Sequence, residues 1–188
     1  MIYVTSDLHL CHNRSFLWEP RGFESVQEMN QAIVKNWNDI IQPEDEVYLL
    51  GDLMLNNDVE GARLFKQLKG QIHVILGNHD TDRRVAAYNT FYNICEICYA
   101  RPLHYNGYHF FLSHYPTITS NFDYDKPLKS RTLNLCGHSH TPDPFADWDK
   151  GLIYHVELDA HNNAPVSLDS IIQDIVYRYN HDPRVLEK

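Results

Sequence analysis

Basic residues are in short supply. The 188 residues hold 16 Lys and Arg against 25 Asp and Glu, a formal net charge of −9 with histidine neutral. A protein that grips nucleic acid regardless of sequence needs a field of cations to displace counterions from phosphates, and that field is missing. Long apolar runs are missing too. Nothing approaches the roughly 20 residues that span a bilayer. The stretch MIYVTSDLHL lacks the basic segment and cleavage signature of a secretory leader, so a cytoplasmic protein is the default expectation. Cysteines are few: Cys11, Cys95, Cys98 and Cys136. Cys95 and Cys98 make one CxxC, with no second pair at zinc-finger spacing. They fall in the strand-like stretch NICEICYAR, whose alternation places them on opposite faces. Reduced thiols are expected. Without repeats or low-complexity tracts, the length suits a single domain over residues 1–188, with 180–188 loosely ordered.

Histidine and tyrosine are plentiful, at 12 each. Histidine is the commonest metal ligand and the side chain that titrates nearest neutrality, so its positions matter. The first half alternates strand and helix: IYVT, then SVQEMNQAIVKNWNDII, EVYLLGDLM, DVEGARLFKQL, QIHVIL and TDRRVAAYN. Ser25 and Glu28 form a capping box, and Val26, Met29, Ile33, Trp37, Ile40 and Ile41 recur at helical spacing. Asn57 caps the second helix. The second half reads as four strands, ICEICYARPLHY, GYHFFLSHYP, LNLCGHSH and GLIYHVELD, with a hairpin signal in YNG at 105–107. A last helix follows Ser167. This order predicts an α/β fold with parallel strands at its start and two packed sheets with helices outside. Long polar loops are expected at 11–24 and 116–132.

Five strands stop in the same way. Each runs apolar and then ends in metal- or proton-handling groups. They give Asp7 and His9, then Asp52, then Asn78, His79 and Asp80, then His114, and finally His138 and His140. In α/β sheets, sites form at the carboxyl ends of strands. Carboxylate, imidazole and amide oxygen make a mixed ligand set that suits Mn²⁺, Fe²⁺ or Zn²⁺ better than Mg²⁺, which prefers oxygen.

With DLH (7–9), GD (51–52), GNHD (77–80), SH (113–114) and GHSH (137–140) in this order, the chain resembles the calcineurin-like metallophosphoesterase superfamily over nearly its whole length. Small bacterial or phage-type phosphoesterases are the nearest analogy. The resemblance implies a four-layer α/β/β/α sandwich of two mixed sheets flanked by helices. It implies two divalent metals, Mn²⁺ first, with iron, zinc, nickel or magnesium as the other candidates. Asp7, His9, Asp52 and His140 would hold one ion. Asp52, Asn78, His114 and His138 would hold the other. His79 would act on the substrate phosphate, oriented by Asp80, and Gly77 would allow the tight turn between them. The implied reaction is hydrolysis of a phosphate ester by a hydroxide shared between the ions. Phosphodiesters or small phosphomonoesters such as nucleotides are the implied substrates.

His12, Asn13, Arg14 and Arg83 lie beside the motifs and are the candidates for substrate contact, with Arg84 and Arg131 behind them. Trp18, Tyr115, Phe122, Tyr124 and Trp148 are the aromatic candidates for stacking on a ring. Two other readings stay open. One is a nuclease on single-stranded nucleic acid. The other is a non-catalytic metal-binding scaffold, which the full ligand set argues against. The partner expected is a phosphate-ester small molecule or nucleotide, with no membrane and no stable non-specific nucleic-acid binding.

Overall fold

In the computed structural model, residues 1–119 and 126–181 are described. Strands β1 (Ile2–Thr5), β2 (Glu46–Leu49) and β3 (Gln71–Ile75) are short apolar runs, the pattern of strands covered on both faces. They pair in parallel. β4 (Ile94–Cys98) adds in parallel to β3, and β9 (Val166–Ser167) pairs antiparallel with β1, giving the order β4-β3-β2-β1-β9. The second sheet has the order β5-β6-β7-β8. Here β5 (Ala100–Tyr105) and β6 (Tyr108–Ser113) form an antiparallel hairpin, and β7 (Thr132–Cys136) and β8 (Ile153–His155) follow in parallel. Asn106 and Gly107 turn that hairpin with positive φ at both positions, as a two-residue primed turn requires. Both sheets are mixed and flanked by helices, so the fold class is the one expected.

Alternation along the strands sorts two cores. Val47 and Leu49 of β2 and Ile72 and Val74 of β3 face α2 (Val26–Ile40) and α3 (Asp58–Phe65), meeting Met29, Ile33, Trp37 and Phe65. Tyr48 and Ile75 point the other way. With Val4 and Leu50 they meet Phe110, Leu112, Leu133 and Leu135 of the second sheet, and α6 (Leu168–Asn180) adds Leu168, Ile171 and Ile175. The caps read from sequence are present. Ser25 accepts from the Glu28 N–H, Asn57 from that of Glu60 and Ser167 from that of Ser170.

Three details differ from the sequence reading. The run from Ile94 to Tyr105 is two strands in two sheets, broken at Tyr99: its first half pairs with β3 and its second with β6. A one-turn helix, α1 (Ser15–Trp18), stands inside the loop at 11–24. Trp148, a candidate for stacking on a substrate ring, begins α5 (Trp148–Gly151) and is buried in the core. Phe122, Tyr124 and the tail from residue 182 lie outside the described residues. Among those described, no helix is long and apolar enough to cross a membrane.

Candidate metal centre

The strands end in turns that the local sequence tolerates poorly. Asp7, His9, Asp52, His138 and His140 all adopt φ between 48° and 75°, the left-handed region that costs a non-glycine residue roughly 1–2 kcal/mol. Backbone hydrogen bonds hold the first turns in place. The N–H of Asp7 donates to Gly51 O at 3.0 Å, that of His9 to Asp52 O at 2.9 Å and that of Leu10 to Leu53 O at 3.0 Å. Strain of this kind collects at functional sites. Two glycines are required by space. A Cβ on Gly77 would lie 2.2 Å from Asp52 Oδ1, and one on Gly137 would lie 2.2 Å from Asp7 Oδ2. Gly77 therefore serves close approach more than turning.

The side chains converge as two adjoining clusters, Asp7–His9–His140 and Asp7–Asp52–His114, with ligand atoms in each within 4.8 Å of one another. His9 Nε2 lies 3.1 Å from His140 Nε2, and Asp7 Oδ1 lies 3.6 Å from each. Asp52 Oδ2 lies 3.6 Å from His9 Nε2 and 3.6 Å from His114 Nε2. Asn78 Oδ1 sits 2.9 Å from His114 Nε2. His114 Nδ1 donates to Leu50 O at 2.8 Å. In the neutral ring that bond leaves a lone pair on Nε2, which then faces two oxygens that also carry lone pairs. Asp7 Oδ1 and His9 Nδ1 are buried with no hydrogen-bond partner among the described residues. Burial, with the Asp7 charge beside it, raises the Asp52 carboxyl against the pull of His114. An arrangement of facing electron-pair donors around buried carboxylates fits a cation.

The family model for the calcineurin-like phosphoesterase superfamily domain matches residues 1–156. The chain belongs to that superfamily. This phosphoesterase is 34% identical over 178 residues to an uncharacterized protein of Methanocaldococcus jannaschii, spanning 92% of this chain and 89% of that one. It is 28% identical over 191 residues to the gene 66 protein of Mycobacterium phage L5, spanning 90% and 91%. A protein of unknown function from Aquifex aeolicus shares the fold, with TM-score 0.69, 23% identity and coverage of 92% of this chain and 98% of that one. Membership makes the chain a metal-dependent phosphoesterase, and the two clusters are its candidate metal-holding groups.

A second layer braces the first, and sequence reading missed it. Asp159 Oδ2 lies 3.0 Å from His140 Nδ1, which directs Nε2 of the neutral ring toward the cluster. Arg21 donates to both Asp159 oxygens, at 3.1 and 2.7 Å, and to Asp7 O at 2.8 Å. Burial alone would raise the Asp159 carboxyl, but His140 and Arg21 override it and hold it at about 2. Carboxylates behind ligating histidines typically set metal affinity by a factor of about 10–100. Asp159→Ala is therefore expected to weaken Mn²⁺ binding by about that factor in equilibrium dialysis. Unchanged affinity would contradict the brace. The Arg21–Asp159 contact joins residues 138 positions apart, and nothing local in the sequence marks it.

The GHSH turn of the phosphoesterase is braced by a trio in which His155 and Glu157 are buried. His155 Nδ1 lies 3.2 Å from Glu157 Oε1 and its Nε2 lies 3.1 Å from Asp147 Oδ2. The Thr141 N–H donates to the same Glu157 oxygen at 3.1 Å. Burial works against the imidazolium, yet Glu157 and Asp147 raise His155 above its ordinary value. A raised folded pKa gives stability that is fully present below the unfolded value of about 6.5. It is lost as pH rises through the folded value. The thermal-stability gap between wild type and His155→Gln is expected to narrow as pH rises. A gap that widens would contradict the charge assignment.

The remaining residues singled out from sequence separate in space. His79 reaches the cluster: its Nε2 lies 3.9 Å from Asp52 Oδ2, its N–H donates to Asp52 Oδ1 at 2.9 Å, and 41% of its side chain is exposed. Asp80 does not bond the His79 ring. Its oxygens accept from the N–H groups of Asp52, Gly77 and Leu53 and from Tyr88 OH, which fully occupies them. It ties the second and third strand ends together. The His138 N–H donates to Asp7 Oδ2 at 2.8 Å, while its exposed ring packs edge-on against His114 and Tyr115.

A cavity of about 470 Å³ opens over the cluster and is lined by His12 as well as His9, Asp52, Asn78, His79 and His138. His12 is buried, and burial with the neighbouring His9 and His79 pushes it down to about 4. Asn13 lines a different, polar cavity with Cys11 and Asn30, and Arg14 is exposed at the start of α1. Arg83 is largely exposed beside Asp58 at 3.8 Å. Arg84, on α4 (Asp82–Tyr88), bonds Asp58 and His79 O. Arg131 is buried at the foot of β7.

Proposed function

We propose that the protein hydrolyses phosphate esters with two divalent cations, Mn²⁺ first among the candidates, and that phosphodiesters or small monoesters are its substrates. The observation that carries this reading is the convergence of His114 Nε2, Asn78 Oδ1 and Asp52 Oδ2 beside the Asp7–His9–His140 group. Asp7, His9, Asp52 and His140 would hold one ion, and Asp52, Asn78, His114 and His138 would hold the other. Bound cations supply charge for the phosphoryl oxygens and acidify a water near neutral pH.

The chain's own groups do the rest. Asp52, braced at its backbone by Asp80, keeps its carboxylate between the two imidazole sets. Left-handed turns and close-packed glycines fix the donors before any ligand arrives, so little reorganisation is needed at reaction. His79 stands at the cavity wall on the cluster's solvent side. Protonated at Nε2, it donates to the leaving oxygen, the work of a general acid. Arg84 holds the backbone carbonyl of His79 and so fixes where the ring starts.

The net charge of −9 favours a small substrate over a long nucleic acid. The same reading keeps the protein in the cytoplasm, with its four cysteines free. The test is a hydrolysis screen of aryl phosphodiesters and phosphomonoesters. Turnover is expected with Mn²⁺, lost with chelator and restored by metal. No turnover with Mn²⁺, Fe²⁺, Zn²⁺, Ni²⁺ or Mg²⁺ would leave the scaffold reading in its place. Rates that fall steeply with salt on single-stranded substrates would favour the nuclease.

A further inference from the structure

The cavity over the cluster has two unlike halves. One is the imidazoles, carboxylates and amide already described. The other is apolar: Phe16 and Leu17 from α1, with Pro20 and Leu55. Among the described residues no lysine or arginine lines it. Phe16 is 70% exposed, while its neighbour Leu17 is buried. An exposed phenyl ring at the mouth of a site has no structural task in the core. One buried ring nonetheless touches it. The ring of His12, nine-tenths buried, meets Phe16 edge to face at 5.7 Å and lies 6.4 Å from His79 on its other side. His12 thus spaces Phe16 from the reacting region.

We propose that Phe16 is a stacking platform that selects esters carrying one phosphate and an uncharged planar ring, aryl or heteroaryl, close to it. The inference rests on the phosphate site proposed above. A ring lying on Phe16 covers the exposed face and is flanked by Leu17, Pro20 and Leu55. Stacking of this kind tolerates many rings, because every planar ring offers a π face. Beyond the cation pair, a second phosphate finds no lysine or arginine among the described lining residues, so di- and triphosphates are disfavoured. His12 is a positioning residue here, holding Phe16 by its edge.

The test uses the full chain loaded with Mn²⁺ and two non-hydrolysable probes, phenylphosphonate and methylphosphonate, with calorimetry as the readout. The two share a phosphoryl group and differ in the ring. Wild type is expected to bind phenylphosphonate about tenfold more tightly, a scale typical of one stacked ring. Phe16→Ala should abolish that preference, and Phe16→Tyr should keep it. The preference should also weaken in His12→Ala. Equal affinity of wild type for the two probes, or a preference that survives Phe16→Ala, overturns the platform while leaving the phosphate site standing. Binding of neither probe overturns both readings. Pyrophosphate binding more tightly than phenylphosphonate overturns the selection against a second phosphate.

Discussion

Asp52→Ala is expected to abolish binding of the cation pair and to reduce turnover of an aryl phosphodiester to the level seen with chelator. The loss should be roughly three orders of magnitude or more, the scale of removing preorganised charge stabilisation. The reason is position. One carboxylate oxygen of Asp52 lies 3.6 Å from a nitrogen of His9 and 3.6 Å from one of His114, so it reaches an imidazole of each cluster. Its other oxygen accepts the His79 N–H. Thermal unfolding separates loss of the site from loss of the fold. Wild type should gain stability on adding Mn²⁺, by mass action on a ligand that binds only the folded chain. The variant should unfold as one cooperative transition at a temperature that Mn²⁺ does not move. A variant that still gains stability with Mn²⁺ would show that Asp52 is not the shared ligand.

His79→Ala is the complementary case. The ring is partly exposed, and it is the backbone N–H, not the ring, that bonds Asp52 Oδ1. Alanine keeps that hydrogen bond. Metal content by elemental analysis is therefore expected to match wild type, while kcat falls about ten- to ten-thousand-fold, the range for a lost general acid. His79→Asn should behave alike, since an amide has no proton to give at neutral pH. An emptied site in His79→Ala would make the histidine a ligand and overturn its assigned role.

The five strand ends were legible because the chemistry is local to them. An apolar run tells where a strand stops, and the residues after it are read directly. Helix boundaries were legible at Ser25, Asn57 and Ser167 because a cap is a property of four adjacent residues. The break at Tyr99 was not, because a strand that leaves one sheet for the next keeps its alternation. Nor was the brace formed by Arg21 and Asp159. It joins a loop near one end of the chain to a turn near the other, and neither residue has a local pattern. Asp80 looked like the partner of the residue before it. The fold instead turns it toward the backbone of Asp52 and Gly77, where three N–H groups and a tyrosine hydroxyl outcompete a single imidazole. The exposure of Phe16 is likewise not legible, since exposure cannot be read from residue type.

Anomalous scattering from a crystal soaked in Mn²⁺ tests the central claim most directly. Two peaks are predicted, one among Asp7, His9 and His140 and one among Asn78, His114 and His138, with the Asp52 carboxylate between them. A single peak, or peaks away from Asp52, would contradict it.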